Sequence, residues 1–146
     1  MPPPARTSSH VADQRPARGI LDTSVVIDLD RIEPDALPRE IAVTSITMAE
    51  LAAGPHATPD AAERARRQDR LQRAEAAFDP LPFDAAAARA YGRVYAAVIA
   101  HGRKARGARA VDLLIAAVAC SVELPLCTRN PDHFRALEGL VTVVRI

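Results

Sequence analysis

Three acidic side chains lie where acids are rarely placed without a reason. Asp22 ends the apolar run Gly19-Ile20-Leu21 and precedes Thr23-Ser24-Val25-Val26. That puts it at the carboxyl end of a first strand, the edge at which open α/β sheets bind ligands. Asp112 lies in a helix-periodic stretch and shares its face with Ile115, Ala116 and Ala119, so an acid interrupts an otherwise apolar stripe. Glu50 is placed in a similar way, with Ile46 and Thr47 behind it and Ala53 and Gly54 ahead. A buried ionised carboxylate costs several kcal/mol unless it is paired or bound to a metal. Two of them about 4 Å apart repel by about 4 kcal/mol at an effective dielectric of about 20, and a divalent cation turns that repulsion into binding. An all-oxygen donor set suits a hard cation such as Mg²⁺ or Mn²⁺, and the cysteines and histidines show no zinc spacing. Each acid also has a plain structural explanation. Asp22 could cap a helix, Glu50 could be a partly exposed helix carboxylate, and Asp112 could pair with Arg109 or Arg106. Their joint occurrence on inward faces is what points to a metal centre.

The elements that must position these acids follow from the apolar pattern. From Gly19 onward, short apolar runs alternate with helix-periodic segments, which predicts an α/β fold with a parallel sheet. Strands are expected at 18–21, 40–44, 125–128 and 141–145, with a weak one near Leu81 to Phe83. Helices are expected from Thr23, over 46–53 with a stop at Gly54-Pro55, and over 59–77 with Thr58 as N-cap and Pro59 at the first helical position. Two more are expected after Asp84 to about His101 and over 110–122, with a short one after Pro131. The third helix, with the sequence ERARRQDRLQRAEAAF, has few apolar side chains beyond Ala, Leu71 and Phe78. It is read as a solvated face tied by local Arg pairs to Glu or Asp, or alternatively as a projecting arm for a partner.

Composition bounds the rest. At 146 residues, 49% apolar and 25% charged, the chain holds one core and has globular values. A net charge of +1 excludes a histone-like polycation, so any nucleic-acid surface must be local. The acid-free cluster His101, Arg103, Lys104, Arg106 and Arg109 is the candidate for phosphate contacts, the alternative being a solubilising loop. Aromatics at 3% with no Trp argue against base-stacking platforms. Cys120 and Cys127 lie in apolar company and are read as buried thiols in a reducing, cytoplasmic setting. No apolar run approaches the length of a membrane span. Residues 1–18 lack the apolar core of a secretory signal and are expected to be a disordered tail, with a start nearer Val11 as the alternative. Residues 19–146 then form the domain.

Four ordered motifs carry a family resemblance: Gly19-Ile20-Leu21-Asp22-Thr23-Ser24-Val25-Val26-Ile27-Asp28-Leu29, Thr44-Ser45-Ile46-Thr47-Met48-Ala49-Glu50-Leu51, Ala110-Val111-Asp112-Leu113-Leu114-Ile115-Ala116-Ala117, and Thr128-Arg129-Asn130-Pro131. Together they resemble the PIN-domain ribonucleases and, within them, the VapC toxins of bacterial toxin-antitoxin pairs. The resemblance covers Gly19 to Ile146. It implies a three-layer α/β/α sandwich with a mostly parallel central sheet, and a metal-dependent endoribonuclease using Mg²⁺ or Mn²⁺. Asp22, Glu50 and Asp112 match the family's first three acids and are implied as catalytic metal ligands, with Thr23, Ser24, Thr128, Asn130 and Asp132 supporting them. The last motif departs from the family pattern. Asn130 stands where many relatives have Asp, and His133 replaces the acid before the Phe, with Asp132 one place earlier. Asn can offer a carbonyl but no negative charge. The resemblance also implies an RNA substrate, and with aromatics so few its choice is expected to rest on RNA shape and exposed loops. A homodimer and a VapB-type antitoxin in a hetero-oligomer are implied as partners, with an antitoxin Arg reaching the carboxylates. The antitoxin is expected to be gripped by the helical pair of residues 59–78 and the helix after Asp84. Two other readings stay open. A haloacid-dehalogenase-type phosphatase would need a second Asp where Ser24 stands. A non-catalytic PIN-like RNA- or protein-binding module is compatible with Asn130 and His133.

Overall fold

Parallel strands joined by helices set the architecture, as seen in a computed structural model that describes Met1 and residues 15–103 and 108–146. Strand β1 (Arg18–Leu21) pairs in parallel with β2 (Glu40–Ala42) on one side and β3 (Leu126–Thr128) on the other. Strand β4 (Val143–Arg145) adds in parallel to β3, so the sheet order is β2-β1-β3-β4. Between the strands run α1 (Thr23–Ile27), α2 (Ser45–Ala53), α3 (Ala61–Ala77), α4 (Ala85–Ala100) and α5 (Ala108–Val122). A 3-10 turn over Pro131–Leu137 follows β3.

Side-chain alternation along each strand divides the core into two layers. Ile20 and Leu126 point into a cluster with Ala87, Ala90, Val94, Leu113, Ile115 and Phe134, which is the α4 and α5 side. Their neighbours Leu21 and Cys127 point the other way, into a cluster with Val25, Val26, Val43, Leu51 and Ala74 on the α1, α2 and α3 side. Both faces of the sheet are covered, which gives the three-layer α/β/α sandwich and explains why the strands read as continuous apolar runs.

Several boundaries differ from the sequence expectation, each for a local reason. The third helix begins at Ala61, with Asp60 as its N-cap. The Asp60 carboxylate accepts from the N–H groups of Ala62 and Glu63 at 3.3 Å, whereas Thr58 Oγ1 accepts from Asp60 N–H in the preceding turn. The hydroxyl expected at the cap therefore closes a turn before it. The second helix does end at Ala53, with Gly54 as its C-cap, but the chain does not unwind there. Gly54 is helical at φ −52°, and the chain tightens into a 3-10 turn over Gly54–Ala57. The weak strand near Leu81 reduces to one parallel bridge with Thr44, because Pro80 and Pro82 on either side of Leu81 have no N–H for a ladder. The fifth helix starts two residues earlier than expected, at Ala108.

The third helix is not a projecting arm. Its outer face carries the Glu63–Arg66, Glu63–Arg67 and Asp69–Arg73 pairs, while Leu71, Ala74 and Phe78 pack into the second cluster. Nor does it pair with the fourth helix: α3 lies on α2 and the turn after it, and α4 lies on α5, on opposite faces of the sheet. Among the described residues no helix is long and apolar enough to cross a membrane. Residues 2–14 of the expected tail lie outside the described residues, as do Lys104 and Arg106.

Candidate active site

Because all four strands run in parallel, their carboxyl ends share one edge, and the first three exits meet there. Asp22 follows β1 directly. Its N–H extends the ladder to the Cys127 carbonyl at 3.0 Å, and its own carbonyl accepts from Val25 and Val26 at 3.2 Å to open α1. Its carboxylate is buried, at 4% exposure, and Oδ1 takes Val25 N–H at 3.3 Å and the Ser24 hydroxyl at 2.5 Å. Asp22 is thus the helix cap that its position allowed. Both donors fall on one oxygen, however, which leaves Oδ2 for another partner.

Glu50 reaches the same place from α2. Thr44, at the end of the second strand segment, caps α2 by accepting from Thr47 N–H at 3.1 Å. One turn of helix then brings Thr47 and Glu50 to the same face. The Thr23 hydroxyl donates to Glu50 Oε1 at 2.5 Å and lies 3.1 Å from Thr47 Oγ1. Glu50 is half-buried, so the expectation of a partly exposed helix carboxylate also holds for it.

Asp112 comes from the first turns of α5. Its side chain is 26% exposed and meets neither Arg109 nor any other Arg among the described residues. Its partner is His133, whose Nδ1 lies 3.4 Å from Oδ2. Burial raises the proton affinity of Asp112 above the ordinary carboxylate range, the imidazole beside it works in the opposite direction, and the negative charges of Asp22 and Glu50 raise it further. Asp22 also acts on Cys127, whose thiol is pushed up to about 11, mainly by burial and then by that charge.

The last motif is divided between the site and solvent. Thr128 is fully buried, and its hydroxyl accepts from Asn130 N–H at 3.0 Å. Arg129 N–H donates to Ser24 Oγ at 3.2 Å, tying the β3 exit to the Asp22 cap. The Asn130 side chain is exposed and makes no cap for the turn it opens. Asp132 is not brought to the acids. Its exposed carboxylate takes Arg135 at 2.6 Å, while its carbonyl accepts from Arg103 at 3.1 Å. That contact places the end of α4 beside the turn carrying His133, and Arg109 stands three residues before Asp112 on α5.

His133 is the residue that sequence reasoning registered only as a missing acid. A 3-10 turn packed against α4 and β4 brings it within 3.4 Å of Asp112 and so gives it a place in the site. Thr47 was also passed over, although its spacing from Glu50 was a readable signal.

The donor set fits a hard divalent cation in its chemistry, since it consists of carboxylate and hydroxyl oxygens from three separate segments. Among the described residues no three His, Cys, Asp or Glu side chains already close around one point. Asp112 is drawn to His133 and Glu50 to Thr23, so the acids feel one another's charge without sharing a centre.

Comparison with known proteins agrees with this geometry. The PIN domain profile matches residues 19–140. Ribonuclease VapC5 of Mycobacterium tuberculosis is 38% identical over 131 residues, covering 88% of this chain and 93% of that protein. The crystal structure of VapBC-5, a member of the VapBC family of toxin-antitoxin systems from Mycobacterium tuberculosis, superposes with a TM-score of 0.76 at 39% identity over 90% of this chain and 98% of its own. That of FitAcB from Neisseria gonorrhoeae gives 0.67 at 28% identity, over 85% and 94%. A sheet whose carboxyl edge gathers Asp22, Glu50 and Asp112, together with these matches across most of the chain, makes it a member of the PIN-domain family, in its VapC branch.

Proposed function

We propose that this chain is the toxin of a type II toxin-antitoxin pair: an endoribonuclease that hydrolyses RNA phosphodiester bonds with Mg²⁺ or Mn²⁺ and is restrained by a VapB-type antitoxin. The observation that carries the reading is that three acids from β1, α2 and α5 lie along one sheet edge, near enough for the charges of Asp22 and Glu50 to be felt at Asp112. The names of the relatives, a VapC ribonuclease and a VapBC complex, point the same way.

Asp22, Glu50 and Asp112 would hold the cation. When bound, it would neutralise the carboxylates, acidify a water molecule and stabilise charge on the phosphate oxygens. The chain's own groups prepare that chemistry. Ser24 and the Val25 amide orient Asp22, and the Thr23 hydroxyl orients Glu50, so two of the three acids are held in place before a cation enters. Thr128 fixes the Asn130 backbone, leaving the Asn130 side chain able to orient water or substrate. Arg103 and Arg109, with Lys104 and Arg106 between them in sequence, would contact phosphates without reading bases.

An antitoxin has a surface to use. A cavity of about 470 Å³ between α1 and α3 is lined largely by Val26, Ile27, Leu29, Ala74 and Phe78. That suits the apolar face of a partner segment that could then run to the carboxylates. A homodimer, a cytoplasmic setting and a division into a tail over 1–18 and a domain over 19–146 belong to the same proposal.

The test is cleavage of a mixed tRNA and rRNA pool by the purified chain with Mg²⁺ or Mn²⁺, beside an EDTA lane and an Asp22→Ala/Asp112→Ala variant. Metal-dependent cutting that drops at least about a hundredfold in the variant is expected, since the pair would hold the cation. RNA binding without cutting in either metal would instead favour the non-catalytic binding module that Asn130 and His133 leave open.

A further inference from the structure

The groove beside Glu50 continues past the carboxylates. A cavity of about 340 Å³ is lined by Thr23, Glu50, Arg67 and Arg70 among others, and an adjoining one of about 400 Å³ shares Arg70, Ile27 and Glu63 with it and reaches Arg31. Every acid lining the second cavity is already engaged. Glu63 is held by Arg66 and Arg67, Asp30 and Asp69 by Arg73, and Asp28 by Arg129. Arg67 also donates to the Gly54 carbonyl at 2.9 Å.

Among the described residues two lining guanidinium groups stand apart from these pairs: that of Arg70, half-buried on α3, and that of Arg31, exposed in the 3-10 turn after α1. A guanidinium presents five donors in a planar fork that matches a phosphate, and a half-buried one has lost part of its water without gaining acceptors. Acids and bases balance along the groove, but the acids are taken up by their partners, so Arg70 and Arg31 are left to offer guanidinium donors beside the acidic centre. A polyanionic substrate approaching those acids needs such a neighbour.

Resting on the ribonuclease reading above, we propose that this groove seats the RNA strand on one side of the cleaved bond. Arg70 is the positioning residue that grips a backbone phosphodiester, and Arg31 meets the strand further along. Arg103 lies by the turn that follows β3, whereas Arg70 lies toward α2, so phosphate-binding groups stand on both sides of Asp22.

Fluorescence anisotropy of labelled tRNA, with the full chain carrying Asp22→Ala to prevent cutting, tests the proposal. Arg70→Ala should weaken binding about tenfold and lower the slope of log Kd against log salt by about one, the signature of a lost phosphate contact. Arg70→Lys should recover part of the loss, and Arg70→Glu should weaken binding further. Arg89→Ala, on the exposed face of α4, should change nothing. In the cutting-competent chain Arg70→Ala should raise KM more than it lowers kcat. Thermal melting by circular dichroism confirms that each variant is folded. An unchanged Kd and salt slope in folded Arg70→Ala and Arg70→Glu overturns the proposal. Loss of antitoxin capture by Arg70→Ala with RNA binding intact also overturns it and gives the groove to a protein partner. Failure of the parent chain to bind or cut any RNA is a different result, because it removes the ribonuclease reading itself.

Discussion

Asp112 stands between His133 and two other acids, and its raised proton affinity sets how it acts on stability. A carboxyl that binds its proton more tightly in the folded chain favours folding below the ordinary carboxylate range, and that contribution is lost as pH rises through the raised value. At neutral pH Asp112 is therefore a destabilising charge unless a cation neutralises it. Asp112→Asn should raise the melting temperature of the metal-free protein at pH 7 by a few degrees while removing cleavage. Mg²⁺ or Mn²⁺ should stabilise the parent chain more than the variant. Scanning fluorimetry with and without EDTA checks both, and equal melting of the two metal-free proteins at pH 7 would refute the account. Asp22 shows how one side chain serves two ends, since it caps α1 with one oxygen and leaves the other for a partner. The cap was legible from an Asp before Thr-Ser. The His133 contact was not, because it joins residues 21 apart in the chain through a turn whose direction is set by packing.

At the scale of elements, β1 is the central reference, since it contacts both neighbours and delivers Asp22. Its Gly19 is required by close approach: a Cβ there would come within 2.8 Å of Pro38 Cγ and 3.0 Å of Cys127 Sγ. Gly19→Ala should therefore cost about 1–3 kcal/mol, as overpacking of a filled site does. Urea unfolding should show a lower midpoint with an unchanged m-value, and an unshifted midpoint would show that Pro38 yields at no cost. The position of each element was readable from apolar runs and Pro, Gly and acidic caps, and the errors fall where two signals compete. Thr58 and Asp60 are both good caps, and the choice depends on which side chain finds free N–H groups, a matter of backbone direction that composition does not contain. Gly54-Pro55 reads as a stop and α2 does end there, while the 3-10 turn that follows, with its Gly54 carbonyl held by Arg67 from α3, was not legible.

For the whole molecule, the outward face of α4 is where self-association is to be tested. Tyr95 and Ile99, one turn apart, are 45% and 50% exposed, and the Tyr91 and Tyr95 rings lie 6.2 Å apart. An apolar stripe at i, i+4 spacing on a helix otherwise packed on α5 fits a dimer contact. Sedimentation should find a dimer at micromolar concentration and a monomer for Tyr95→Glu/Ile99→Glu. A parent chain that sediments as a monomer would refute this placement.

Read alone, the sequence determined the fold class and nominated the acids. Apolar runs alternating with helical periods specify a covered parallel sheet, and an acid in an apolar stripe is costly enough to need a partner. Tertiary structure decided which nominees meet. It set Asp22, Glu50 and Asp112 within reach of one another's charge because parallel strands end at one edge. It turned Asp132 out to Arg135 and brought His133 in, because a 3-10 turn places adjacent side chains in different directions. It also left Arg70 apart from the pairs around it on α3. Among several arginines on one helix, the available acids are shared out by distances that exist only once the chain is folded.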